Sequence, residues 1–171
     1  MTNLLRYSTA SEQQWRNRRG VTRELHLGQG WRLSVATISA AGEFSFFPGL
    51  ERTFVLARGR LDLTVDATSH PVTPGRLLRF RGEAEVSAVP IDGPAIAVNV
   101  MTDRTRCTAT VRVERIDGPN PAATALVLLS GAAVTAGHRL EPLDAVHPAG
   151  TGAVDCRDAL VVTIQVQHPA A

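Results

Sequence analysis

Residues 55–78 read VLARGRLDLTVDATSHPVTPGRLL. A short β-rich run, Val55-Leu56-Ala57-Arg58, stops at Gly59, and Leu61-Asp62-Leu63-Thr64-Val65 then alternates apolar and polar side chains at the period of two that a sheet imposes. A polar segment leads through Val72-Thr73-Pro74-Gly75 into Leu77 and Leu78. The second half repeats these events. Val127-Leu128-Leu129-Ser130 stops at Gly131, and Leu140-Glu141-Pro142-Leu143-Asp144-Ala145-Val146 supplies the next turn, with Pro142 following Leu140 as Pro74 follows Val72. A strand ending at Gly, a second strand, and a Pro-containing turn that launches a third is the rhythm of a small jelly roll.

The same β-rich pattern extends outward in both directions. Trp31 to Ile38 alternates as a half-buried strand does, and Thr53–Ala57, Leu77–Phe80, Glu85–Val89, Ile96–Val100, Ala109–Val113, Ala125–Leu129 and Ala159–Val166 are further strands, punctuated by Gly, Pro, Asp and Ser. This density of strands leaves no room for alternating βα units. The expectation is an all-β architecture of two jelly-roll-like β-barrel halves packed together, with minor helix at Ser11–Asn17. The first barrel spans residues 1–104. The second, 105–171, is too short to stand alone and must bury a sheet face on the first. Asp117-Gly118-Pro119-Asn120-Pro121 reads as a turn inside the second half.

Composition narrows the functional classes. The chain has 171 residues, 44% hydrophobic and 20% charged, which supports a packed core rather than disorder. Its 18 cations, all Arg, face 16 carboxylates and are scattered, so neither a nucleic-acid groove nor a membrane-binding face is expected. The N-terminus has no signal-peptide pattern and no run is long enough for a membrane helix, so the expected location is the cytoplasm. Cys107 and Cys156 stand far apart and read as free thiols. The five histidines are isolated, no nucleophile elbow is present, and nothing compels an enzyme.

Three segments carry the chemistry. In Trp15-Arg16-Asn17-Arg18-Arg19-Gly20-Val21-Thr22-Arg23-Glu24, Thr22 and Glu24 share one strand face. Phe44-Ser45-Phe46-Phe47-Pro48-Gly49-Leu50-Glu51-Arg52 holds three of the five Phe residues, able to wall a cavity, and delivers Arg52 into a strand. A charge there needs a partner, either Glu24 or a bound anion. Asn99-Val100-Met101-Thr102-Asp103-Arg104 points Asn99 and Met101 the same way, with Arg104 just beyond the strand. An inward Asn needs a hydrogen-bond partner, from the backbone or from a ligand.

The jelly-roll rhythm resembles the cupin superfamily, whose metal ligands follow the Gly-led strand and the Pro-Gly turn. Here Pro48, Leu50 and Leu78 stand at those places, and none can bind a metal. No metal and no cofactor are expected. The three segments together resemble the HutD/Ves family of bacterial bicupins, through Trp15-x-Asn17-x-x-Gly20-x-Thr22-x-Glu24, Phe44-Ser45-x-Phe47-Pro48-Gly49-x-x-Arg52 and Asn99-x-Met101-x-x-Arg104, with Gly59, Gly75, Phe80 and Gly82 between them. The sequence departs from the pattern in two places: Arg18-Arg19 occupies a turn that is usually glycine-rich, and Ala97 stands at an acidic position.

The resemblance implies a non-enzymatic role in histidine utilisation, restraining the pathway by binding an intermediate such as urocanate or N-formylglutamate. The expected partner is therefore a small anionic metabolite, held in the first half by Asn17, Thr22, Glu24, Arg52, Asn99 and Arg104 with Phe44, Phe47 and Met101 as walls. The alternatives are a small-acid isomerase or hydrolase with Glu24 as general base, and a homodimerisation module working through an exposed strand edge.

Overall fold

The computed structural model describes residues 2–120, 124–148 and 152–170. Its strands are β1 (Thr2–Leu5), β2 (Glu12–Gln14), β3 (Gly20–Gly28), β4 (Trp31–Ile38), β5 (Gly42–Glu43), β6 (Leu50–Val65), β7 (Thr68–Val72) and β8 (Leu77–Arg81), followed by β9 (Val86–Asp103), β10 (Thr108–Asn120), β11 (Ala125–Thr135), β12 (His138–Arg139), β13 (Ala145–Pro148) and β14 (Val154–Gln167). The fold is all-β, as its sequence pattern requires. Helix among the described residues is confined to a 3-10 turn at Tyr7–Thr9.

Chain contacts define two units, one of Met1–Ala10 with Ala109–Gln167, the other of Ser11–Thr108 with His168–Ala171. In the first, strands run in the order β1-β13-β11-β14-β10, with β12 on β11. In the second the order is β2-β3-β4-β9-β6-β7, with β5 on β9 and β8 on β6. Neither path returns to its starting strand, so each unit is an open, bent sheet of the jelly-roll type expected.

The repeat in the sequence is a repeat of backbone geometry. Two expected strands on either side of Gly59 form the single strand β6, whose pairing with β9 shifts register on both sides of Arg58. Gly59 has φ +80, and a Cβ there would lie 2.8 Å from the Pro94 carbonyl oxygen. In the other unit β11 and β14 shift register on both sides of Ser130, and Gly131 has φ +85 with the Asp158 carbonyl oxygen 2.2 Å from its Cβ position. Both glycines are bulge residues that bend a long strand so that its two ends serve different layers. The Pro-containing turns match as well. The Gly75 N–H donates to the Leu56 carbonyl at 2.8 Å, and the Leu143 N–H to the Leu128 carbonyl at 2.7 Å.

Three local expectations are overturned. Ser11–Asn17 is not helical, because Glu12–Gln14 pair with Val21–Arg23 and the Trp15–Gly20 segment closes a hairpin through the Trp15 N–H to the Gly20 carbonyl, 2.9 Å. Cross-strand pairing, including the Arg23–Glu12 ion pair at 2.9 Å, outweighs the local capping signal. Asp117–Asn120 is the end of β10 rather than a turn, held by Arg115 on the Asp158 carboxylate at 2.6 Å and by the Asp158 N–H on Asp117 Oδ1 at 3.3 Å. Pro121 lies outside the described residues. Finally, β4 is buried on both faces, since Ser34 and Ala36 are as enclosed as Leu33 and Val35. Cys107 and Cys156 are free and buried.

Candidate functional site

Antiparallel pairing puts directly opposed side chains on one face of a sheet, and two rows of the larger sheet carry the site. One row runs Glu24, Ser34, Asn99, Phe54 and Leu78; the parallel row runs Leu27, Arg32, Met101, Arg52 and Phe80. Met101 thus stands between two arginines on neighbouring strands. Elsewhere this face is packed with Ile38, Leu56, Leu61, Leu63 and Ala97, so the polar groups interrupt an otherwise apolar interior.

Arg52 is the centre of that interruption. It is 5% exposed, and its guanidinium carbon lies 5.2 Å from the ring centroid of Phe44, 5.3 Å from that of Phe47 and 5.2 Å from that of Phe80. Its Nη1 donates to the Ser45 carbonyl over a long 3.3 Å, while its Nε has no hydrogen-bond partner among the described residues. Burial, and secondly repulsion from Arg32, push its pKa down to about 10. Glu24 does not answer this charge. Its carboxylate pairs with Arg32 instead, Oε2 to Nε at 2.8 Å, at an edge where Glu24 is 41% exposed. The sequence left Arg52 two partners, and the geometry removes one.

Asn99 lies on the diagonal from Arg52, about 7–8 Å away as such neighbours are, and is 4% exposed with its Oδ1 unpartnered among the described residues. Burying an unpaired amide oxygen costs about 1–3 kcal/mol. Met101, 5% exposed, is the directly opposed neighbour of Arg52 on the same face. Phe44 connects this group to the first segment: its ring meets Trp15 edge-on at 5.5 Å and Phe54 at 6.2 Å, and Trp15 Nε1 donates to Thr22 Oγ1 at 2.8 Å. Thr22 is therefore a support for the aromatic wall, with its oxygen engaged by the indole.

Asn17 and Arg104 are placed in structural roles. Asn17 is exposed; its Oδ1 accepts from the Arg19 N–H at 3.0 Å and its Nδ2 donates to the Glu43 carbonyl at 3.2 Å, which fastens the Trp15–Gly20 turn to β5. Arg104 grips Glu83 with both Nη atoms and donates to the Leu50 carbonyl at 2.8 Å, while Glu83 accepts the Gly49 N–H at 2.7 Å. Hydrogen bonds from Arg104 first, then from Gly49, hold the Glu83 carboxyl down to about 2. This clamp fixes the Pro48-Gly49 turn, and with it the loop that carries Phe44 and Phe47 over Arg52.

Arg32 and Phe80 are the functional side chains that sequence reasoning missed. The Trp31–Ile38 alternation puts Arg32 with Ser34 and Ala36, and a strand taken as half-buried assigns that face to solvent. Arg32 also borders an apolar hollow of about 370 Å³ at the end of the sheet, shared with Leu27, Trp31, Leu50 and Met101. Among the described residues no group of three or more His, Cys, Asp or Glu side chains is gathered to hold a metal ion. The other unit has no buried arginine among its described residues; its buried polar side chains are Thr135 and Asp144. Its core is aliphatic, and Thr163, which faces Leu126 as Asn99 faces Phe54, donates to Glu114 at 2.9 Å.

A bent, bulged β-sheet unit built twice in one chain is the cupin fold. The fold matches HutD from Pseudomonas fluorescens with a TM-score of 0.83 at 24% identity, over 99% of this chain and 100% of that one. It matches a cupin 2 conserved barrel domain protein from Leptotrichia buccalis with a TM-score of 0.63 at 10% identity, over 88% and 89% of the two chains. The HutD family model matches residues 7–164, and the chain belongs to the HutD family. It is also 38% identical to protein Ves of Citrobacter koseri over 108 residues, 58% of this chain and 56% of that protein, so the match spans little more than half of the relative's length. No described helix is long and apolar enough to cross a membrane.

Proposed function

We propose that this HutD-family protein is a non-enzymatic, cytoplasmic sensor that binds a small carboxylate metabolite and acts as a regulator of histidine utilisation. The observation that carries the reading is a guanidinium 5% exposed, ringed by three phenylalanines, with no carboxylate paired to it and no partner for its Nε among the described residues. A buried charge in that state is stabilised by an anion that completes its hydrogen bonds. Asn99 adds a second requirement. Its unpartnered Oδ1 accepts, so the ligand that satisfies it carries an N–H or O–H donor beside its carboxylate. Urocanate and N-formylglutamate both meet the two conditions. The enzyme alternative is less well supported, because the Glu24 carboxylate is engaged by Arg32 rather than presented to a substrate.

The test is a thermal shift with each compound. A ligand that binds only the folded state adds about 2.7 kcal/mol at a hundredfold excess over its Kd, or about 5–10 °C for a chain of this size. The rise is expected in the unmodified protein and absent in Arg52→Met. No rise with any small carboxylate overturns the reading.

A further inference from the structure

We propose a second ligand site, independent of Arg52, in the hollow at the end of the larger sheet: it takes a small amphipathic anion, an aromatic or short alkyl body carrying one carboxylate, with Arg106 as its counter-ion. The hollow holds about 370 Å³, near the lower end of the range that encloses a small organic molecule. Leu27, Trp31, Leu50 and Met101 wall it, and neither Arg52 nor Asn99 borders it. Trp31 and Met101 are buried, whereas Leu27 is 69% exposed, the most exposed large apolar side chain among the described residues. An apolar guest resting there removes from water a leucine that the fold leaves uncovered.

The walls are set before any guest arrives. Gln29 and Gly30, at φ +52 and +82, close the β3–β4 hairpin as a two-residue turn between Gly28 and Trp31. The Gly30 carbonyl accepts the Asp103 N–H at 2.8 Å and the Cys107 thiol at 3.2 Å, which ties the hairpin to the turn between β9 and β10. A Cβ on Gly30 would stand 2.9 Å from the Arg106 Cβ, so the stem of Arg106 is packed on the hairpin. Leu50 reaches the same end of the sheet by pairing with Asp103. Binding therefore requires little ordering of the chain.

The charges select the guest. Arg32, Asp103 and Arg106 border the hollow. Arg32 is answered by Glu24 at 2.8 Å. Asp103 lies in the field of Arg104 as well as Arg106, and its Oδ1 accepts the Thr105 N–H at 2.9 Å and the Thr105 hydroxyl at 2.7 Å. The exposed Arg106 guanidinium has no hydrogen bond or ion pair among the described residues; only its backbone carbonyl is engaged, by the His168 ring at 3.2 Å. Arg106 and Gln29 also line a second hollow of about 370 Å³, shared with His168. A body lying against Leu27 and Met101 thus turns its acidic head toward Arg106 and the Gln29 amide, where charge-assisted hydrogen bonds form.

The experiment titrates naphthoate, and naphthylmethanol as its uncharged counterpart, into the isotope-labelled full chain and follows the backbone amides by NMR. Saturable shifts are expected at Gly28, Gln29, Gly30 and Arg106, with a Kd for the acid at least about tenfold below that of the alcohol. Arg106→Gln should erase that difference, and Leu27→Ser should weaken both compounds by about fivefold. Both side chains are exposed, so neither substitution threatens folding. Arg52→Met should leave these shifts and the Kd unchanged. Equal affinity for acid and alcohol, shifts that centre on Phe44 and Phe47 and vanish in Arg52→Met, or no saturable binding overturns the proposal. So do shifts at these amides that grow with protein concentration alone, since they mark the hollow as a contact between two copies of the chain.

Discussion

Replacing Arg52 by Met separates a residue kept for binding from one kept for folding. Burial and Arg32 bring the Arg52 pKa down to about 10, and a fall of that size is about 3 kcal/mol of unfavourable charge in the folded protein. The penalty is fully present at neutral pH, where the group is protonated, and is relieved only as pH rises through about 10. Against it stand the 3.3 Å hydrogen bond to Ser45, worth about 1 kcal/mol, and three ring contacts at about 0.5–1 kcal/mol each. Met returns part of the ring contribution through sulfur–aromatic contacts. The balance is a gain of about 0–2 kcal/mol for Arg52→Met, a melting temperature unchanged or raised by up to about 6 °C, together with loss of the response to carboxylates. Calorimetric or fluorescence melting without ligand measures it directly. A loss of about 2 kcal/mol or more would mean that the aromatic box already satisfies the guanidinium, and the case for a missing anion would collapse.

Two other perturbations probe the same neighbourhood. Met101→Glu places a carboxylate between Arg32 and Arg52, where it serves as a ligand in cis; the melting temperature should rise and urocanate should no longer shift it, whereas an unmatched buried carboxylate would lower stability by several kcal/mol. The Glu83 clamp gives a pH signature: a carboxyl held at about 2 in the folded state and higher when unfolded contributes stability above the unfolded value and loses it as pH falls toward about 2. The protection factor of the Gly49 amide, its exchange rate referred to the intrinsic rate at each pH, should therefore fall on acidification through that window, and Arg104→Met should lower it already at neutral pH.

What the sequence conveyed, and what it withheld, follow from the range of the interactions involved. Period-two alternation and the paired glycines are local, and they led to the strands and to the repeat; that Gly59 and Gly131 are bulges inside β6 and β11 rather than strand ends is decided by the partner strands β9 and β14. The failure at Ser11–Asn17 has the opposite cause: the capping residues are local, but the partner strand Val21–Arg23 that overrides them is supplied by a hairpin whose turn holds Arg18 at φ +58. The same distinction divides the site. Arg52 and Asn99 were visible as polar side chains on inward strand positions, whereas the hydrogen bonds of Asn17 and Arg104 could not be read locally because their partners, Glu43 and Glu83, come from other segments.

The assignment of Glu24 to Arg32 rather than Arg52 shows why spacing alone could not decide the chemistry. Both pairings were open to a carboxylate on β3, and the choice is made by strand order. With β4 placed between β3 and β9, the Arg32 side chain intercepts Glu24 before it can reach β6, two strands further on. Had β3 paired next to β6, the same sequence motif would have produced a satisfied ion pair and no reason for a ligand. The unanswered charge at Arg52 is thus a property of the topology.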